Sequence, residues 1–197
     1  MNQKVKLPKK HGEFLIYTVT VTDKDGKVLK RITAPSKSFV EQWNKLINVQ
    51  ARHIAATVKD TGGTPQSVTF HTYTLEMKAG AGVTTFGIRI GKGTTAVAMT
   101  DYALETPLAH GVGADQLYHN AVAISLPAVE GSTCSFTVSR VMINNSGATI
   151  TGIRELGCYV RMAVSYYGLG FRDVLGTGVD VPDGGAITVE YTIGATV

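Results

Sequence analysis

The stretch Phe14-Leu15-Ile16-Tyr17-Thr18-Val19-Thr20-Val21-Thr22 alternates apolar residues with threonine and then meets Asp23-Lys24-Asp25-Gly26 before Lys27–Thr33. Side chains of a strand point alternately to opposite faces, so this pattern puts an apolar row on one face and hydroxyls on the other. The acidic, glycine-containing turn between the two runs predicts a β-hairpin. The same signature returns along the chain. Strands are expected at Ser67–Met77, Val83–Ile90, Leu117–Ser125, Cys134–Ile143, Thr149–Met162, Phe171–Leu175 and Ala186–Ile193. The turns between them are marked by Asn144-Asn145-Ser146-Gly147 and Pro182-Asp183-Gly184-Gly185.

One helix interrupts this series. Ser38 with Glu41 three residues later forms a capping-box pattern, and Phe39, Trp43, Leu46, Ile47 and Ile54 recur on one face, predicting a helix over about 38–57. The expected fold is mainly β, a β-sandwich or jelly roll with one α-helix inserted early. Gly91, Gly93, Pro107, Gly111 and Gly113 make most of 91–116 a long loop, with a short helical turn around Thr100–Leu104, and long loops in compact domains are often contact surfaces.

With 44% hydrophobic and 17% charged residues, the 197-residue chain has material for a substantial core and is not of disordered composition. Its 22 glycines and many threonines and valines suit strands joined by tight turns. The net charge of +4 is uneven, since Lys4, Lys6, Lys9 and Lys10 crowd the first ten positions. Residues 1–12 read as a basic, flexible arm, and 13–197 as one sandwich domain. The lysine cluster lacks aromatic interleaving, so nucleic acid is not an expected partner. No secretory leader is visible and no apolar run is long enough for a membrane-spanning helix. Cys134 and Cys158 stand in strand-like segments among apolar neighbours and read as buried thiols in a reducing compartment.

Motifs of chemistry are weak. Gly91-Lys92-Gly93-Thr94-Thr95-Ala96 follows a strand, but no helix comes directly after it, and Lys92 precedes Gly93 rather than Ser or Thr, so neither a dinucleotide turn nor a phosphate loop is expected. His11, His53, His71, His110 and His119 have no metal-ligand spacing, although His110 and His119 can meet across 111–116, and each reads as a hydrogen-bonded surface residue. No Gly-x-Ser-x-Gly elbow occurs. Arg154 and Glu155 fall in an alternating strand with one outward face, and Asn144-Asn145-Ser146 reads as a turn. No catalytic residue, cofactor or metal is predicted.

Several pieces in order carry a resemblance: Gly87-Ile88-Arg89-Ile90-Gly91-Lys92-Gly93-Thr94-Thr95-Ala96 with Thr100-Asp101-Tyr102-Ala103-Leu104, then Asn145–Ile150 leading to Glu155-Leu156-Gly157, then Phe171-Arg172-Asp173-Val174-Leu175 and Val181–Ile193. The chain, from Lys37 to Ile193, resembles a group of tailed-bacteriophage virion proteins. The resemblance implies a non-enzymatic structural part, made in the host cytoplasm and assembled in many copies at the capsid exterior, neck or tail. Its expected partners are copies of itself and other virion proteins. The chain departs from the group after Glu-Leu-Gly, continuing Cys158-Tyr159-Val160-Arg161-Met162 into Tyr166-Tyr167-Gly168, and an aromatic pair there also suits a glycan-binding edge. Candidate assembly contacts are therefore Lys4, Lys6, Lys9, Lys10, Tyr102, Tyr166 and Tyr167. The alternative function is a tail-fibre or tail-tip module that recognises a host glycan or surface protein.

Overall fold

The structure, a computed structural model, describes residues 12–36 and 39–196. Lys4, Lys6, Lys9, Lys10 and the Ser38 of the expected capping box lie outside the described residues, as does nearly all of the basic arm; Gly12, assigned to that arm, is the first residue of a strand.

The protein is mainly β. The first two strands, β1 (Gly12–Thr22) and β2 (Val28–Pro35), form the expected hairpin. Its turn is closed by Asp23, whose Oδ1 accepts the amides of Asp25 and Lys27 at 3.0 and 2.9 Å, while Gly26 takes the left-handed φ of 80°. A helix, α1 (Glu41–Arg52), and a small hairpin, β3 (Ala56–Lys59) with β4 (Pro65–Val68), come next. Then follow β5 (Gly87–Gly91), β6 (Ala109–His110), β7 (Gln116–His119), β8 (Ala123–Ile124), β9 (Ala128–Glu130), β10 (Thr133–Ile143), β11 (Ile150–Arg161), β12 (Tyr167–Val181) and β13 (Ala186–Thr196).

The larger sheet runs β2-β1-β13-β10-β7-β6, with β8 and β9 also paired to β10. Its register places Leu15, Ile193 and Phe136 in one row, then Tyr17, Tyr191 and Val138, then Val19, Val189 and Arg140, then Val21, Ile187 and Met142. These rows face inward and are largely buried. The rows between them, such as Thr18, Glu190 and Ser139, face outward, as the alternation requires. The smaller sheet, β12-β11-β5, packs on the inward face, and Phe171 meets Tyr191 edge-on at 4.6 Å. At about 25 cal/mol per Å² of apolar surface removed from water, this inter-sheet core is the main stabilising term.

The smaller sheet carries a third layer. In β11, Leu156, Cys158 and Val160 point into the core, but Glu155, Gly157 and Tyr159 on the other face are also buried, so the strand does not have the solvent-facing side that its alternation suggested. The loop 92–108 covers that face. Leu104 packs with Tyr159, Val40 and Leu169 in a second small core. No helical turn forms around Thr100–Leu104, because Asp101 folds back locally: its Oδ2 accepts the Ala98 amide and its own amide donates to the Ala98 carbonyl.

Other expectations are corrected by local geometry. The helix is shorter than 38–57: its N-cap is Val40, without a side-chain cap, and Glu41 pairs with Lys45 at 3.0 Å instead of closing a capping box. It ends at His53, in the left-handed region at φ 54°, so Ile54 lies beyond it and is 54% exposed. Trp43 is buried against Phe39 and Phe171, with ring centroids 5.0 and 5.9 Å away. Of Ser67–Met77 only the first residues are strand. The amides of Thr74 and Glu76 turn back to the carbonyls of His71 and Tyr73, and Leu75 has φ 69°. Leu117–Ser125 is split into β7 and β8, since Val122 donates its amide to Ala79 rather than to β10. Cys158 is buried, but Cys134 is exposed.

Candidate functional site: a loop strapped to the smaller sheet

The loop 92–108 is held by one arginine. Arg172 of β12 has a side chain only 3% exposed; its Nε donates to Glu155 Oε1 at 2.8 Å and its Nη1 to Asp101 Oδ2 at 2.9 Å, with Glu105 Oε2 3.8 Å from Nη2. Burial would pull the guanidinium pKa down, but the hydrogen bonds it donates to Glu155 and Asp101 more than offset this and hold the group above its ordinary value. Glu155 is fully buried and accepts two further bonds, from the amides of Glu105 at 2.6 Å and Thr106 at 3.0 Å. Leu104 donates its amide to the Tyr159 hydroxyl at 2.9 Å.

The glycine string that superficially suggests a phosphate loop takes its place in this network. The amides of Thr94 and Thr95 and the Thr95 hydroxyl do form an anion cradle, and Glu105 fills it: Oε2 accepts both amides at 2.9 and 3.0 Å and Oε1 accepts the hydroxyl at 2.9 Å. These bonds, first those from Thr95, hold the Glu105 carboxyl below its usual range. Gly91 and Gly93 are required by closeness to the strap, since a Cβ at either would fall 2.5 or 2.7 Å from Glu155 Oε2. Gly157 likewise admits Leu104, whose Cδ2 would lie 2.8 Å from an added Cβ. Arg172, Asp101, Glu105 and Tyr102 border a surface cavity of about 470 Å³.

Of the candidate contacts, Tyr102 sits on this cavity, 39% exposed, with the Lys59 amine 5.8 Å from its ring centroid. Tyr166 is 40% exposed, whereas Tyr167 is half-buried and stacked on Phe86 at 5.9 Å. The β3–β4 hairpin stands between the two sites: Gly63 abuts Tyr102 and Thr61 donates its amide to the Tyr167 carbonyl. The pair Tyr166 and Tyr167 therefore does not form one aromatic edge, and neither joins Tyr102 directly.

A second polar cluster was not anticipated. Arg140 stands in an inward row and donates to four backbone carbonyls, those of Asn120, Ile88, Gly80 and Val83. Burial, then the nearby Arg89, lowers its pKa to about 10. Arg89 is buried beside it and donates to the Thr84 and Leu108 carbonyls. His119 is fully buried rather than on the surface. Its ring lies 5.7 Å from that of His110, whose Nδ1 accepts the His119 amide at 3.1 Å. Burial first, then Arg140 and Arg89, pushes its pKa down to about 3, so it is neutral at physiological pH. The alternation Val138-x-Arg140-x-Met142, a charge on an apolar face, is the sequence signal for this cluster.

Among the described residues, no group of three or more His, Cys, Asp or Glu is arranged to hold a metal ion, and no helix is long and apolar enough to cross a membrane. Comparisons of the chain with protein-family models, with curated proteins and with solved structures found no match.

Proposed function

We propose that this chain is a non-enzymatic structural component of a tailed-phage virion, a multi-copy accessory protein of the capsid exterior or head-to-tail region that acts by packing against other protein surfaces. The observation that carries this reading is the pair of edges on the larger sheet that no further described strand covers. Along β2, Val28 and Leu29 are 54% and 51% exposed; on the opposite side, Leu126 and Val129, beside β8 and β9, are 88% and 76% exposed. Unpaired strand edges bearing aliphatic side chains are templates for association. The carboxylates of the glycine-rich region, meanwhile, are engaged in holding the fold. Sedimentation at micromolar concentration is expected to show self-association, and electron microscopy of intact particles to place the protein at the head or neck. A protein that stays monomeric and is absent from particles overturns the reading.

Recognition of a host glycan has one observation in its favour. Phe70, Tyr73 and Tyr166 are 50%, 41% and 40% exposed, and the Arg161 guanidinium lies over Tyr73 at 4.1 Å. Exposed aromatic faces suit sugar rings. A signal from the isolated protein on a glycan array, lost in Tyr73→Ala, would move the assignment to the tail tip.

A further inference from the structure

The inward face of the larger sheet is longer than the sheet that covers it. Beyond the row of Leu15, Ile193 and Phe136, the next inward row is Glu13, Ala195 and Cys134. There an open groove of about 580 Å³ runs between the sheet and α1, walled by Phe39, Trp43, Ile47, Ile124, Phe136 and Ile193. Exposed apolar surface of this kind is favourable to cover. The one charged residue on its wall is Glu13. Glu13 forms no ion pair with another described residue.

The chain supplies a matching segment. Ahead of Gly12 the sequence reads Lys4-Val5-Lys6-Leu7-Pro8-Lys9-Lys10-His11. Over Lys4–Leu7 it alternates, so an extended backbone would put Val5 and Leu7 on one side and Lys4 and Lys6 on the other. Residues 8–11 tether Leu7 to Gly12, whose neighbour Glu13 lines the groove, over five Cα steps or at most ~18 Å. We propose that the segment Lys4–Pro8 of the same chain lies in this groove, with Val5 and Leu7 against Trp43, Phe136 and Ile193 and its lysines toward Glu13. A short tether gives such a segment an effective concentration on the order of millimolar, well above that of a second copy in solution. The inference is independent of the proposed virion role.

Two native features make it testable. Cys134 lines the groove and is exposed, whereas the other thiol, Cys158, is fully buried and its pKa is raised by burial, so it does not compete. Under mild oxidation the full-length Leu7→Cys variant is expected to lose two thiols per chain while remaining a single-chain species on a non-reducing gel. Asp25→Cys, in the turn at the other end of β1, should keep its thiols. In addition, Trp43 is the sole tryptophan, so Val5→Asp with Leu7→Asp is expected to shift its emission to the red with the protein still folded. Chain-to-chain linkage alone assigns the groove to a second copy and overturns the proposal; so does linkage no greater than that of Asp25→Cys, or an unchanged emission in the double variant.

Discussion

Two buried arginines on facing sheets are handled in opposite ways. Arg172 is surrounded by carboxylates, and its charge is matched by Glu155 and Asp101. Arg140 has only backbone carbonyls, four of them, with Arg89 and His119 as charged or titratable neighbours. The difference lies in what each one holds. Arg172 ties side chains of a long loop to a strand, and ion pairing fixes the loop's path. Arg140 gathers the carbonyls of segments 80–88 and 120, which lack partners in a regular ladder, and a fork of fixed N–H donors satisfies several at once. A paired charge is costly to break from one side, whereas a clamp on carbonyls fails more gently, because a carbonyl left behind carries no net charge.

The contrast predicts a ranking. Glu155→Ala should have the largest effect, about 3–5 kcal/mol of destabilisation, since it leaves a buried guanidinium under-compensated and the Glu105 and Thr106 amides without their acceptor. Chemical denaturation measures this, and limited proteolysis should cut within 92–108 in that variant first. Arg140→Met is expected to cost less, about 2–3 kcal/mol, by leaving carbonyls unsatisfied without stranding a charge. A cost equal to or above that of Glu155→Ala would break the comparison.

The smallest effect concerns acid. The folded protein holds His119 at a pKa of about 3, against 6.5 ordinarily, so the unfolded chain takes up its proton first as pH falls. Stability from this group is complete above pH 6.5 and is lost on the way down to about 3; between pH 6.5 and 5 the loss should be about 1.5 kcal/mol. His119→Gln should flatten that part of the stability profile. Arg140→Met should raise the His119 pKa, read by the shift of its imidazole resonances, and an unmoved pKa would show that the two groups are not coupled.

The strands were legible because alternation is a local signal: Phe14–Thr22, Cys134–Ile143 and Ala186–Ile193 lie within the observed β1, β10 and β13. The third layer was not, because Arg172, Asp101 and Glu155 come from distant parts of the chain and each looks like an ordinary surface charge until the loop closes over it. The alternation around Arg154 and Glu155 predicts one outward face for the strand, but Glu155 is fully buried, on a face that the loop covers. The cradle made by Thr94 and Thr95 is hidden for the same reason, since its anion is Glu105 of the same loop. The apolar neighbours of Cys134 predict a buried thiol, but it lies past the point where the smaller sheet stops covering the larger one.

Gly12 and Thr196 are register partners on adjacent strands, so these two positions sit about 5 Å apart across one ladder step. In a chain shortened by residues 1–11 and 197, a few glycines would join them into a continuous loop, and new ends opened at the exposed Asp23–Gly26 turn would give a circularly permuted chain with the same sheet order.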